Sequence, residues 1–313
     1  MKIVAVEPIG ISAERAQEIR QDLAGKGHEF VWYADRKEDP ATLVERMKDA
    51  EVVMISNIPL REEVLSQCPR LQFLDVAFTG LDHIDMDYCA THNIQVKNAS
   101  GYATEAVAEL AIGLMIDVLR KITCLDGSIR QGEARGAFLG RELRGKTVGI
   151  VGTGAIGIRT IELLKAFGCR VLAWSRTHKP EVLNLGVAYV TLDGLMRDCD
   201  IISLHVPLTN ETKHLISKEM LALCKPSAIL INTARGNVVD MDALAESLRD
   251  GKIAGAGIDV YETEPPLPQT HPLCDAPNCV MVPHIGYATR EAFDIRAGIV
   301  MDNIRQWLKN QQK

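Results

Sequence analysis

The stretch Lys146-Thr147-Val148-Gly149-Ile150-Val151-Gly152-Thr153-Gly154-Ala155-Ile156-Gly157 constrains this chain more than any other. An apolar run over residues 148–151 stops at three glycines spaced G-x-G-x-x-G. A helical pattern through Ile158, Ile161, Leu164 and Lys165 then begins at once and runs up to Gly168. The pattern predicts a buried strand, a tight turn and a helix N-terminus. Gly152 suits the turn's dihedral angles, Gly154 carries no side chain to hold a ligand off the backbone, and Gly157 lets helix and strand pack closely. The unpaired amides of such a helix start, with its dipole, attract a pyrophosphate. Glycine clusters also make ordinary turns, but the strand before this one and the helix after it supply the context a dinucleotide site requires.

The rest of the chain repeats that alternation without the glycines. Before residue 98, strand candidates fall at residues 3–6, 30–33, 52–55, 73–76 and 94–96, with helical patterns at 13–24 and 41–48 between them. After the fingerprint, strands are expected at 170–174, 187–190, 201–206, 228–232, 254–259 and 280–282, with a helix at 241–249. Such alternation implies parallel sheets covered on both faces. Val107, Leu110, Ala111, Leu114, Met115, Val118 and Leu119 mark one long amphipathic helix, which either covers its own sheet or makes a domain or subunit contact. The final helix carries Phe293, Ala297, Val300, Ile304, Trp307 and Leu308 on one stripe. The expected architecture is two doubly wound α/β domains. The first comprises residues 1–100 completed by 285–313, and the dinucleotide-binding domain of residues 101–284 is inserted within it. A cleft between them is expected to meet ligand where the central strands end.

At 313 residues the chain has length enough for two such cores. Its net charge of −6 argues against a nucleic-acid surface, and no Lys/Arg cluster suggests a membrane surface. No apolar run approaches the roughly 18 residues of a membrane helix, and the first seven residues read as a strand rather than a signal peptide. The eight cysteines form no C-x-x-C pair, and no histidines have metal-ligand spacing. Reduced thiols in a cytoplasmic protein without a metal site are therefore expected.

Three strand ends carry residues suited to chemistry. Arg235, in Asn232-Thr233-Ala234-Arg235-Gly236, is flanked by small residues just past a strand, where its five-donor fork suits a carboxylate. A surface salt bridge is the alternative. Acidic residues follow another strand in Asp259-Val260-Tyr261-Glu262-Thr263-Glu264, and one of them can orient a histidine. His284, between a proline and a residue that precedes Gly286, is the best acid/base candidate of the eight histidines. His205 sits at a strand end and suits cofactor lining, whereas His28, His92, His178, His214 and His271 read as exposed.

Taken in order, these runs resemble the D-isomer-specific 2-hydroxyacid dehydrogenase family over nearly the whole chain. The resemblance rests on the glycine fingerprint, His205-Val206-Pro207-Leu208-Thr209, Asn232-Thr233-Ala234-Arg235-Gly236, Gly257-Ile258-Asp259-Val260-Tyr261-Glu262, Glu264-Pro265 and Pro283-His284-Ile285-Gly286. It implies a Rossmann cofactor domain within a flavodoxin-like substrate domain, an NAD(P)-dependent oxidoreductase acting on a small 2-oxo acid, and a homodimer formed through the cofactor domain. By the same resemblance Arg235 binds the substrate carboxylate and carbonyl oxygen, His284 is the general acid/base, and Glu264 is its partner. Cofactor contacts fall to Gly152, Gly154, Ala155, Ile156, Gly157, Ser175, Arg176, Lys179, His205, Val206, Pro207, Thr233, Ala234 and Asp259, the last holding the nicotinamide carboxamide. Asn57, Phe78, Thr79 and Gly80 join Arg235 in binding substrate.

Two departures refine this expectation. NAD-specific members end the strand after the fingerprint helix with an acid that binds the adenosine ribose. Here the run is Trp174-Ser175-Arg176-Thr177-His178-Lys179, which lacks the carboxylate and offers Arg176 and Lys179 to a 2′-phosphate, so NADP is favoured over NAD. The phosphoglycerate branch has an arginine where this chain has Ser56, although Arg61 is close in sequence. Hydroxypyruvate or glyoxylate is therefore the expected substrate. 3-Phosphoglycerate dehydrogenase is the nearest rival, and a nicotinamide-sensing corepressor-like binding protein is the rival of another class.

Overall fold

In a computed structural model, which describes residues 1–311, the chain divides into two compact units, Met1–Ala103 with Ala288–Lys313 and Thr104–Tyr287. Each is built on one parallel sheet.

The first unit contains β1 (Lys2–Ala5), β2 (Glu29–Trp32), β3 (Val52–Ile55), β4 (Phe73–Val76) and β5 (Gln95–Asn98), ordered β2-β1-β3-β4-β5. This is the flavodoxin-like doubly wound order. β3 and β4 are buried throughout, as expected for central strands covered on both faces. The helix Arg290–Gln311 returns to this sheet, and Trp307 stacks on Phe73 of β4 with ring centroids 5.3 Å apart. Its buried face runs through Ala292, Arg296, Val300, Met301, Ile304, Trp307 and Leu308, so the stripe expected to begin at Phe293 and Ala297 begins instead at Ala292 and Arg296. The reason is chemical. Arg296 reaches inward to the carbonyls of Ile9 and Ala77, at 2.9 and 3.2 Å, and its guanidinium lies over the Phe293 ring.

The second unit contains β6 (Thr147–Val151), β7 (Arg170–Trp174), β8 (Ala188–Tyr189), β9 (Ile201–Leu204), β10 (Ile229–Asn232), β11 (Gly255–Ile258) and β12 (Cys279–Met281). Their order, β12-β11-β10-β9-β6-β7-β8, reverses direction at β6, the strand of the glycine fingerprint. Apolar layers cover both faces of this sheet. In one, Ala111, Leu114, Met115 and Val118 of the helix Thr104–Arg120 pack with Val148, Ile150 and Ile231. In the other, Leu244 and Leu248 of the helix Met241–Arg249 pack with Leu204, Leu230 and Ile258. The helix Thr104–Arg120 thus covers its own sheet, and it packs so closely that a Cβ on Gly257 would lie 2.9 Å from Leu114 Cβ. Among the described residues no helix is long and apolar enough to cross a membrane.

Candidate active site

The glycine turn after β6 has the geometry its spacing predicts. Gly152 has φ +102°, a left-handed value that costs a glycine little, and a Cβ there would lie 2.7 Å from the His205 carbonyl oxygen. A Cβ on Gly157 would collide with the Gly152 carbonyl oxygen, so the helix Ala155–Ala166 packs onto the turn only with glycine there. Gly154 is the N-cap, with no side-chain cap bond, and a Cβ added to it would meet no atom within 4 Å. Gly154 and Ala155 are exposed, so this uncapped helix start is accessible to an anion. A second feature fits a bound dinucleotide: Thr233 Oγ1, past the end of β10, is buried without a hydrogen-bond partner among the described residues. An orphaned buried hydroxyl is costly unless a ligand completes it.

Beyond β7, Ser175 is half-buried and Arg176 exposed. Arg176 lies within electrostatic reach of Glu211, whose carboxyl is held below its usual range chiefly by the Thr209 hydroxyl and to a smaller degree by the Arg176 charge. The Lys179 amide donates to the Tyr189 hydroxyl at 3.0 Å, and the same hydroxyl lies 3.0 Å from Thr153 Oγ1. At the end of β9, His205 Nε2 pairs with Ser203 Oγ at 2.9 Å, and desolvation lowers its pKa to about 4, so the ring is neutral. Val206 is buried beside it, and the Pro207 carbonyl accepts from the Thr212 hydroxyl.

After β10, Asn232 ties the turn together by donating to the Arg235 carbonyl at 2.9 Å and accepting from the Ala234 amide at 3.0 Å. Arg235 Nη1 donates to the Ala234 carbonyl at 2.8 Å. Gly236 abuts the backbone of Tyr261 and Glu262, which leaves no room for a side chain. The turns after β10 and β11 are thereby locked against each other.

His284 lies just past β12 with φ +54°, an uncommon value for a residue with a side chain. Three neighbours hold it there. Its Nδ1 is 2.9 Å from each carboxylate oxygen of Glu264, its ring meets Tyr287 edge-on at 5.4 Å, and its amide donates to the Val282 carbonyl. Asp259, 1% exposed at the end of β11, accepts from the Ile285 amide at 2.7 Å and the Gly286 amide at 2.9 Å. Burial pushes its carboxyl upward, against the pull of those two amides. Asp259 therefore also anchors the turn that carries His284.

Near this pair lies a second histidine–carboxylate contact that sequence reasoning missed. His271 read as exposed, yet its side chain is 8% exposed, with Nε2 3.2 Å from Glu262 Oε2. Nothing in its local pattern distinguishes it from a solvated loop residue.

In the first unit, Phe78 is buried, packed edge-on to His83 and tilted against Tyr102, while Thr79 is exposed and its carbonyl accepts from Asn98 at 2.6 Å. Gly80 follows, half-buried. Asn57 Oδ1 accepts from Arg36 Nη1 at 2.7 Å. Two arginines from distant segments thus meet the Ser56-Asn57 turn, Arg36 at Asn57 and Arg296, whose Nη1 donates to Ser56 Oγ at 3.5 Å, whereas Arg61 turns to the Asp82 carbonyl.

Residues 112–286 match the family model described as D-isomer specific 2-hydroxyacid dehydrogenase, NAD binding domain. The chain is 40% identical to the glyoxylate reductase of Thermococcus litoralis over 298 residues, 91% of this chain and 89% of that one. Among solved structures it is similar to an acyclic imino acid reductase in complex with NADPH and D-Arg, with TM-score 0.89, 28% identity, and 99% and 98% of the two chains covered. A glyoxylate reductase from Paecilomyes thermophila is similar too, with TM-score 0.87, 30% identity, and 97% and 94% covered.

Proposed function

Because the chain belongs to the D-isomer-specific 2-hydroxyacid dehydrogenase family, we propose that it reduces a small 2-oxo acid, glyoxylate or hydroxypyruvate, to the 2-hydroxy acid, with NADPH preferred to NADH. The observation that carries this reading is the His284–Glu264 pair, with Nδ1 held at 2.9 Å by both carboxylate oxygens. That contact fixes the orientation of the ring. The nicotinamide supplies the hydride when bound. His284 then delivers a proton from Nε2 to the substrate oxygen as it becomes an alkoxide. Arg235 carries its charge at any working pH, so it binds the substrate carboxylate and stabilises the developing negative charge. Asp259 keeps the His284 turn in place through two backbone amides. In the first unit, Asn57 and residues 78–80 are the candidates for substrate contact.

The cofactor preference is supported by Ser175, which offers no carboxylate to a ribose, and by Arg176 and Lys179, which offer positive charge to a 2′-phosphate. Glu211 opposes it by competing for Arg176. The remaining cofactor contacts proposed are Ala155 and Ile156 at the helix start, with His205, Val206, Pro207, Thr233 and Ala234 along the strand ends. A homodimer is supported by Ile122, Ile129 and Leu139, which are 53%, 66% and 81% exposed within residues 122–139 of the second unit. A cytoplasmic location suits eight cysteines that are all free.

Steady-state kinetics on a panel of 2-oxo acids with both cofactors tests the reading. Glyoxylate or hydroxypyruvate with NADPH should give the highest kcat/KM. His284→Ala should lower kcat by roughly 10²–10⁴-fold while nucleotide binding stays near wild type. Unchanged turnover with the chemical step rate-limiting would remove His284 from its role.

A further inference from the structure

Tyr189 is one of only two residues in β8, the short edge strand that pairs with β7. Its side chain nevertheless joins two segments remote in sequence. The hydroxyl accepts the Lys179 amide at 3.0 Å and pairs with Thr153 Oγ1, also at 3.0 Å. Its ring stacks on His178 with centroids 4.0 Å apart and planes 7° apart. Thr153 is the residue between Gly152 and Gly154, and at 2% exposure its hydroxyl is shielded from water. The loop of residues 175–179, by contrast, is tied by main-chain bonds only at its end, where the Lys179 carbonyl accepts the Val182 and Leu183 amides at 3.2 and 3.3 Å. Ser175, Arg176 and Thr177 enter no main-chain hydrogen bond among the described residues. One phenol thus connects the glycine turn to the loop that carries Arg176 and Lys179.

An ordinary packing role for an edge-strand tyrosine needs only the ring. Here the hydroxyl makes two bonds, one to the glycine turn and one to the amide of Lys179, at the end of a loop whose residues 175–177 have no main-chain bond of their own among the described residues. Ordering a flexible loop costs conformational entropy, and a contact that orders it beforehand spares the ligand that cost.

We propose that Tyr189 is a positioning residue for cofactor selection: its hydroxyl fixes residues 175–179 against the glycine turn, so that Arg176 and Lys179 stand ready for an adenosine 2′-phosphate. This rests on the NADPH reading above. Tyr189 acts through the loop and touches no reacting atom. NADH, which lacks the phosphate, draws little benefit from a preset Arg176.

Tyr189→Phe keeps the ring and its stack on His178 while removing both hydroxyl bonds. The dissociation constant of NADP⁺ measured by calorimetry, and the KM for NADPH, should rise roughly three- to tenfold, the worth of one or two hydrogen bonds. The corresponding values for NAD⁺ and NADH, and kcat with either cofactor, should stay within about twofold. In an Arg176→Ala background the same substitution should lose most of its effect on NADP⁺, because the two residues act in series. Unchanged NADP⁺ affinity, an equal loss for NAD⁺, or a full effect without Arg176 would each overturn the inference while leaving the NADPH reading intact. A wild-type protein that binds NAD⁺ more tightly than NADP⁺ would overturn both.

Discussion

Each sheet opens with a strand that leads directly into a helix, and the two junctions treat the helix start in opposite ways. In the first unit, β1 runs on to Glu7, 3% exposed, whose carboxylate accepts the Ser56 amide and pairs with Arg36, both at 2.7 Å. The helix Ala13–Ala24 is then capped by Ser12, whose hydroxyl accepts the Arg15 amide. In the second unit, β6 leads through Gly152-Thr153-Gly154 to the helix Ala155–Ala166, which has no side-chain cap. The same strand–turn–helix unit thus satisfies its own amides and carries its own negative charge in one place, and in the other leaves both needs open. The anion site proposed here is one made by omission. The glycines matter as much for the carboxylates and hydroxyls they exclude as for the angles they permit.

The largest effect should come from giving the second junction what the first already has. Gly154 has φ −71° and open space around it, so Gly154→Asp should fold and cap the helix, adding a few tenths of a kcal/mol of stability. Its charge would then face the pyrophosphate. Two like charges about 4 Å apart at an effective dielectric near 20 repel by about 4 kcal/mol, so nucleotide affinity should fall by roughly 10²–10³-fold. Melting curves and nucleotide titration together check this. A variant that melts higher yet binds as tightly would show that the bare amides are not the anion site.

An intermediate effect separates the two units by pH. In the first, burial raises Asp75 of β4 to about 8, partly offset by its bond from Asn303. A carboxyl protonated in the folded state contributes stability that is complete below its unfolded value near 4 and is lost as pH rises through about 8. His205 in the second unit runs the other way: lowered to about 4, it contributes stability that is complete above about 6.5 and lost as pH falls through 4. Asp75→Asn retains an acceptor for Asn303 and cannot ionise. It should stabilise the first unit by about 2–4 kcal/mol at pH 8 and leave it nearly unchanged at pH 4. Hydrogen exchange resolved to β4 and to β6 at the two pH values measures this, and an equal gain at both would mean that Asp75 does not titrate there.

The smallest effect is the converse of the first. Ser12→Ala removes the cap of the first junction and should cost about 1 kcal/mol. Exchange at the Arg15 amide should quicken, and nucleotide affinity and turnover should not move. A change in cofactor binding would show that the two junctions are energetically linked rather than independent.

Much of this was legible in the chain. Apolar runs and period-3.6 patterning located the strands and the helices Ala13–Ala24 and Met241–Arg249, because burial on a sheet or along a helix stripe is a local constraint. The glycine turn was legible because sterics leave few residues able to occupy it. Arg296 was not, since a pattern that sorts by hydrophobicity turns charged residues outward, and only the carbonyls of Ile9 and Ala77 reveal why this one turns in. Tyr189 fell unremarked within the strand expected at residues 187–190, and His271 read as exposed, because their partners lie elsewhere in the sequence. The pairing of His284 with Glu264, twenty residues apart, came from resemblance rather than from any periodicity.

The return of the helix Arg290–Gln311 to β4 has a consequence for how the protein is made. The second unit is one continuous segment, Thr104–Tyr287, and can fold as soon as it has been synthesised. The first unit begins earlier but waits for its last helix. Until then Phe73 lacks the Trp307 ring, Asp75 lacks Asn303, and the apolar face of β4 stands open. At roughly 5–20 residues per second, translating the intervening unit leaves that face uncovered for about 10–40 s. The half of the molecule that leaves the ribosome first is therefore the half that finishes last, and its unfinished sheet is where a chaperone would be needed.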